Sequence, residues 1–304
     1  MAQQNYLWMD GKFVRSVDAK VHILTHSLQY GSGIFEGIRC YNTDNGPAIF
    51  RLKDHAKRFF NTAKIYRMPL KISISELEAA CIGTINKNHL KSAYIRPFAF
   101  YKEPGIGFNV SGKTTSVAIA AIEFGPLFGE GQKGIKCMVS SWNRINSTIL
   151  PAGAKASGNY INSILASQEA NAAGYDEAIL MSSSGTVAEG PGENIFIVQD
   201  NILITPPKSA NILLGITRDS IIKIAENIGL QVVERDIRRE ELYTSDEAFF
   251  SGTAAELTPI ISIDSRQIAN GRQGPVTKML RDRYAAIVRG EDKEFSNWLT
   301  FTKG

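Results

Sequence analysis

Between Phe124 and Gly134 the chain reads FGPLFGEGQKG. Four glycines (Gly125, Gly129, Gly131 and Gly134) and Pro126 within so short a run interrupt any helical or strand periodicity. The stretch therefore predicts a linker over 124–134, between a smaller unit at 1–123 and a larger one at 135–304. A chain of 304 residues has material for a hydrophobic core in each.

Both halves mix strand and helix patterns. Tyr6–Met9 and Lys12–Val14 flank Asp10-Gly11, a two-residue hairpin signal. Asp54–Tyr66 places Phe59, Phe60, Ala63 and Tyr66 on one helical stripe. A second helix, from Ser75 to about Leu90, opens with Ser75 and Glu78 at capping-box spacing and repeats Leu77, Cys81 and Ile85. Ala93–Tyr101 and Ser116–Phe124 read as strands, and Pro97 demotes the first to an edge or bulged position. In the second half, strands are expected at Ile135–Ser141, Glu177–Ser182, Thr186–Ala188, Asn194–Val198, Ile202–Thr205, Gln231–Asp236 and Glu247–Ser251. Helices are expected at Asn159–Ala173, Thr217–Ile228 and from Pro275 to Gly290. The alternation predicts a two-domain α+β or α/β enzyme fold.

Composition removes several function classes. The formal charge of +4 is the balance of 34 basic and 30 acidic residues, with no basic block of the kind that binds nucleic acid. Cys40, Cys81 and Cys137 are scattered and odd in number, which argues against a disulfide framework or a zinc site and for a reducing compartment. His22, His26, His55 and His89 show no metal-binding pattern and read as structural. The N-terminus lacks secretory signal character, and no apolar run approaches the roughly 20 residues that span a bilayer. The expected location is the cytoplasm.

Four segments suggest a cofactor site, two of them suited to an anion. Glu189-Gly190-Pro191-Gly192-Glu193-Asn194 sets two carboxylates and an amide around glycines between apolar runs, where a carboxylate can meet a positive ring nitrogen or remain a solvated turn. Leu214-Gly215-Ile216-Thr217 leads into a helix whose first N–H groups suit a phosphate, with Thr217 as a cap or a direct ligand. Ser251-Gly252-Thr253-Ala254-Ala255 follows a strand and offers backbone donors to an anion, or forms a plain strand-to-helix turn. Lys155, among Ala152, Gly153, Ala154, Ala156, Ser157 and Gly158, has room for a flat group to approach its amine.

Together with HSLQYGSGIFEGIR (His26–Arg39), RLKDHAKRF (Arg51–Phe59), AYIRP (Ala93–Pro97), VSSWNR (Val139–Arg144), AKASGNY (Ala154–Tyr160), EGPGENIF, LGITRD and SGTAAELTP, these elements make the chain resemble the branched-chain amino acid aminotransferases of class IV. The ordered matches run over nearly its whole length. The resemblance implies a two-domain, D-amino-acid-aminotransferase-like fold of type IV. It also implies pyridoxal 5'-phosphate as cofactor and reversible transamination between leucine, isoleucine or valine and 2-oxoglutarate.

It further implies residue roles. Lys155 matches the lysine that carries the cofactor and shuttles a proton, and Glu189 the carboxylate on the pyridine nitrogen. Tyr160 matches the residue facing the ring O3′. Arg58, Ile216, Thr217 and Thr253 match the phosphate cup. Tyr94, Thr253 and Ala254 match the site of the α-carboxylate, Phe35 and Tyr160 the apolar walls, and Arg96 the receptor for a distal carboxylate. Tyr30, Ile106 and Phe108 match residues contributed by a neighbouring subunit, so the resemblance implies a homo-oligomer with a dimer as minimal unit and a hexamer as the larger alternative.

The chain departs from the family pattern at Pro191, where a small residue is usual, and at Leu127 and Phe128, where many relatives carry a tyrosine that closes the pocket. On the same fold the alternatives are a D-amino acid or (R)-amine transaminase and an aminodeoxychorismate lyase-like enzyme. Lys155, Glu189 and Tyr160 together argue against a binding protein without catalysis.

Overall fold

A computed structural model describes residues 5–124 and 134–303. Most of the expected linker, with Leu127 and Phe128, lies outside the described residues. The protein is α+β. Its contacts divide it into two units: Met1–Gly125, Ala154–Gly158 and Ala286–Gly304 form the first, and Pro126–Gly153 with Asn159–Ala285 the second. This corrects the expectation of one continuous unit over 135–304. The C-terminal strand Leu299–Phe301 pairs antiparallel with Gly46–Phe50, which binds the end of the chain to the first unit. Ala156 bridges Ile34, and Ser157 and Gly158 donate N–H bonds to the Gly33 and Gly31 carbonyls, which does the same for the segment holding Lys155.

The described strands of the first unit form an antiparallel sheet of eight. It runs Leu299–Phe301, Gly46–Phe50, Ile38–Thr43, Ala93–Tyr101, Thr115–Ile122, Tyr6–Met9, Lys12–Arg15, with Ile34–Phe35 also paired to Ala93–Tyr101. The Asp10-Gly11 turn joins the outer hairpin with φ of 48° and 94°, the left-handed pair that such a connection requires. Ala93–Tyr101 is an interior strand, contrary to the edge position that Pro97 suggested. Pro97 pairs with Ile119 on one side, while on the other its carbonyl accepts only the Glu36 N–H. That second side is where the neighbour changes from Ile38–Thr43 to Ile34–Phe35, so the missing proline N–H falls at a gap in the ladder and breaks no bond.

Two helices cover this sheet. Ile74–Lys87 starts from Ser73, whose hydroxyl accepts the Glu76 N–H while Glu76 returns a carboxylate to Ser73. The capping box is thus two residues upstream of the expected one, because Ser73 is extended and Ser75 already lies in the first turn. Leu77, Cys81 and Ile85 are buried as the periodicity requires. The other helix, Leu52–Ile65, buries Leu52, His55, Ala56, Phe59, Thr62 and Ala63, and leaves Phe60 and Tyr66 half-buried. Its inner face therefore carries two polar side chains that the apolar stripe alone did not single out.

The described strands of the second unit form a mixed sheet of nine. It runs Val187–Glu189, Glu177–Met181, Ile135–Val139, Glu256–Ile263, Glu247–Gly252, Asn194–Gln199, Ile202–Thr205, Val232–Glu234, with Arg266–Gln267 beside Glu256–Ile263. Ile195, Ile197, Phe250, Ile260 and Ile135 are fully or almost fully buried in its core. Tyr160–Ala172, Ile216–Asn227 and Pro275–Val288 are its longer helices. Among the described residues no helix is long and apolar enough to cross a membrane.

Candidate active site

In the first unit the site is built around Phe35. Its N–H donates to the Lys155 carbonyl at 3.0 Å, and its ring lies under two cations: Lys155 Nζ at 5.2 Å from the centroid and Arg96 Cζ at 4.6 Å. Arg96 Nη2 donates to the Tyr94 hydroxyl at 3.1 Å, and the guanidinium also lies 5.2 Å from the Tyr94 ring. A Cβ at Gly37 would overlap that hydroxyl, so glycine there is a packing requirement of Tyr94. The structure thus brings Phe35, Tyr94, Arg96 and Lys155 together. An amine, a hydroxyl and an exposed guanidinium border one aromatic wall.

Arg58 belongs to the same unit. Its Nε and Nη2 hold both oxygens of Glu36, at 2.6 and 2.8 Å, and Glu36 Oε2 also accepts from His55 Nδ1 at 2.7 Å. Glu36 has no exposed surface. Burial acts to raise its carboxyl, but Arg58 and then His55 outweigh burial and hold it far below the usual carboxylate range. Burial, opposed by Glu36, keeps His55 below the ordinary imidazole value; the ring is neutral near neutral pH, and its Nδ1 carries the proton it donates.

In the second unit the centre is Glu189, the last residue of a buried strand. Its Oε1 accepts from Arg144 Nε at 2.6 Å, its Oε2 from Asn194 Nδ2 at 3.0 Å, and the Leu213 N–H lies 3.1 Å from each oxygen. The Gly190 N–H donates to the Glu193 carbonyl, which closes the turn between the two strands. Asn194 also donates to the Leu213 carbonyl at 2.9 Å, and its amide oxygen occupies the space a Cβ at Gly215 would need. The same network therefore fixes Glu189 and the start of the next helix.

That helix begins at Ile216 with Gly215 as N-cap and no side-chain cap, so Thr217 lies in the first turn and does not cap it. First-turn N–H groups have no partner within a helix. Ser251 pairs with Asn194 across the sheet. Thr253 and Ala254 lie in the tight turn of the Glu247–Gly252 and Glu256–Ile263 hairpin, not in a strand-to-helix turn. Tyr160 opens its own helix and is half-buried.

A third group is on the surface of the first unit. Ile106 and Phe108 are 82% and 88% exposed. The Tyr30 hydroxyl accepts the Gly107 N–H at 3.0 Å, and the Tyr30 ring meets Phe108 edge-on at 5.5 Å. His26, read as structural, binds Ser32 through Nδ1 and the Gly107 carbonyl through Nε2.

Glu36, Thr62 and Arg144 were not singled out from the sequence; His55 was read only as structural, and Asn194 was noted as the amide of the glycine turn without its partner. The i,i+3 spacing of His55 and Arg58 on one helix carried a signal. Arg144 ends the matched VSSWNR motif and Asn194 lies in EGPGENIF, but neither string shows that it holds Glu189.

Comparison with known proteins agrees with this geometry. The family described as Amino-transferase class IV matches residues 33–263. The branched-chain-amino-acid aminotransferase of Escherichia coli (strain K12) is 47% identical over 298 residues, covering 97% of this chain and 96% of that protein. A crystal structure of the E. coli branched-chain amino acid aminotransferase superposes with a TM-score of 0.97 at 46% identity, covering 99% of this chain and 100% of the other. The branched-chain amino acid aminotransferase of Thermobaculum terrenum, in its PLP-bound holo form, superposes with a TM-score of 0.95 at 38% identity, covering 100% of both chains.

Proposed function

The chain belongs to the amino-transferase class IV family, and from that premise we propose that it transfers the amino group of leucine, isoleucine or valine to 2-oxoglutarate, reversibly, with pyridoxal 5'-phosphate as cofactor. The observation that carries the substrate reading is the shared wall at Phe35: an aromatic face suited to an isopropyl or isobutyl group, bordered by the Lys155 amine and by the Arg96 guanidinium.

Each unit carries residues of the kind that this cofactor requires. Its aldehyde needs a primary amine, its ring nitrogen an acid partner and its phosphate a cluster of donors. Lys155 supplies the amine, and Glu189, ion-paired with Arg144, supplies the carboxylate. Arg58, the first-turn N–H groups of Ile216 and Thr217, and the Thr217 and Thr253 hydroxyls supply the donors. Tyr160 is assigned to the ring hydroxyl. When bound, the cofactor supplies an electron sink that lowers the cost of breaking the substrate Cα–H bond. Lys155 Nζ would take that proton from Cα and deliver it, across the intervening nitrogen, to the cofactor's C4′, the work of a general base. The Thr253 and Ala254 N–H groups and the Tyr94 hydroxyl orient the α-carboxylate, while Phe35 and Tyr160 exclude water from the side chain.

One pocket must accept an apolar chain and a charged one in turn. Arg96 is exposed and braced on two aromatic faces, so its charge stays hydrated when leucine occupies the site, and no uncompensated buried charge results. The exposed Ile106 and Phe108, with Tyr30 behind them, are assigned to the contact with a second copy of this chain, making a homodimer the minimal unit. Three buried free cysteines suit a reducing, cytoplasmic setting.

Lys155→Ala should retain the fold by circular dichroism and lose leucine–2-oxoglutarate transamination by at least about 10²-fold, the scale of a general base. Wild-type turnover in that variant would refute the assignment.

A further inference from the structure

Glu36, ion-paired with Arg58, and His55, hydrogen-bonded to Glu36, are buried, yet the proposed chemistry uses neither. Glu36 grips one edge of the Arg58 guanidinium, Nε and Nη2, with both carboxylate oxygens. Such a fork-to-fork pair fixes the plane of the guanidinium as well as its position. His55, three residues earlier on the same helix, donates to Glu36 Oε2 and so fixes the carboxylate in turn. The Glu36 backbone is itself pinned by the Pro97 carbonyl at 2.9 Å.

The same two elements hold Lys155. Phe35, next to Glu36, donates its N–H to the Lys155 carbonyl, and Thr62, one turn beyond Arg58, accepts the Lys155 N–H at 3.2 Å. One stripe of the Leu52–Ile65 helix, His55, Arg58 and Thr62, together with the adjacent Phe35 and Glu36, thus fixes the head of Arg58 and the backbone of Lys155.

We propose that Glu36 is a positioning residue for the cofactor phosphate: it holds the Arg58 guanidinium in a single orientation, ready to meet a phosphate monoester. The proposal rests on the reading of Arg58 as a phosphate ligand. Its sign separates it from a simple charge effect. As a mere negative charge near a phosphate, Glu36 would weaken phosphate binding, and its neutralisation would tighten it. As a positioning group its loss weakens binding, because Arg58 keeps its charge but loses its aim.

The test measures binding of pyridoxal 5'-phosphate and of pyridoxal, which lacks the phosphate, to the full chain resolved from cofactor, by quenching of tryptophan fluorescence. Glu36→Gln should weaken pyridoxal 5'-phosphate roughly tenfold, the worth of one oriented charge-assisted hydrogen bond, and leave pyridoxal within about twofold. In an Arg58→Leu background the same substitution should change neither affinity. If Glu36→Gln does not fold, Glu36→Asp, too short to reach both guanidinium nitrogens, should show the same selective loss. Equal losses for both ligands, tighter phosphate binding, or an undiminished effect without Arg58 would overturn the proposal. A wild-type protein that binds the two ligands equally would instead remove the phosphate role of Arg58, and with it the premise.

Discussion

Phe35 is where the demands on the proposed two-substrate pocket meet, because its one ring faces both the Lys155 amine and the Arg96 guanidinium. Arg96→Ala should lower kcat/KM for 2-oxoglutarate by about ten- to a hundredfold, the range of one lost charge-assisted bond, and change that for leucine by less than about threefold. Equal losses for the two substrates would mean that Arg96 only shapes the pocket. At this scale the sequence made legible the groups proposed to face ligands, because each lies in a contiguous motif: Lys155 among small residues, Glu189 in a glycine turn, Thr217 at a helix start. It did not reveal their supports. Glu36 is 22 positions from Arg58, and Arg144 is 45 from Glu189; both pairings exist only after the chain has folded. Gly37 and Gly215 belong with those supports, each being a place where a Cβ would displace a polar partner, the Tyr94 hydroxyl or the Asn194 amide.

At the scale of elements, most helices and strands were legible from periodicity, and the misreadings occur where a distant group intervenes. Pro97 lies within an interior strand because two different neighbours meet opposite it. Thr217 was a reasonable cap on local grounds, but Gly215 takes that position because Asn194 packs where a side chain would be. The Pro275–Val288 helix shows both sides. Its proline start was readable, whereas its cap comes from the Glu247–Gly252 strand: the Glu247 oxygens accept the Val276 and Thr277 N–H groups at 2.9 and 2.7 Å. A buried carboxylate on a helix N-terminus satisfies two otherwise unpaired donors and complements the dipole. Glu247→Ala should therefore cost about 2 kcal/mol of unfolding free energy, read as a lower urea midpoint. An unchanged midpoint would show that water replaces the carboxylate without loss.

For the whole molecule, the buried Glu36–His55–Arg58 cluster contributes to the acid limb of stability. His55 is held below its ordinary value of about 6.5, so the unfolded chain binds its proton first; stability is full above that pH and declines below it. Glu36 is depressed from its ordinary value of about 4.3, so its contribution is present above that pH and is lost as pH falls further. Urea midpoints should fall from pH 7 to about 5 and more steeply beyond, with the first decline reduced in His55→Gln. Midpoints that rise on acidification would contradict the cluster's assigned charges. Burial also pushes the Cys40 thiol up to about 12 and raises Cys81 and Cys137, so all three should react with a thiol reagent only when the protein unfolds. The glycine-rich stretch predicted two units, but gave no sign that the C-terminal strand returns to the first, since the pairing of Leu299 with Phe50 leaves no local mark in the sequence.

The central claim, transamination of branched-chain L-amino acids at this site, is tested most directly by a half-reaction. Full-length protein loaded with pyridoxal 5'-phosphate is mixed with L-leucine, or separately with D-alanine, in the absence of any acceptor, and the 2-oxo acid formed is counted. The expected result is about one equivalent of 4-methyl-2-oxopentanoate per subunit from L-leucine, as a ping-pong transfer stops after one turnover without an acceptor, and none of the corresponding product from D-alanine. Product from D-alanine alone would place the chain among transaminases of the opposite hand, and no product from either donor would contradict the catalytic reading of Lys155.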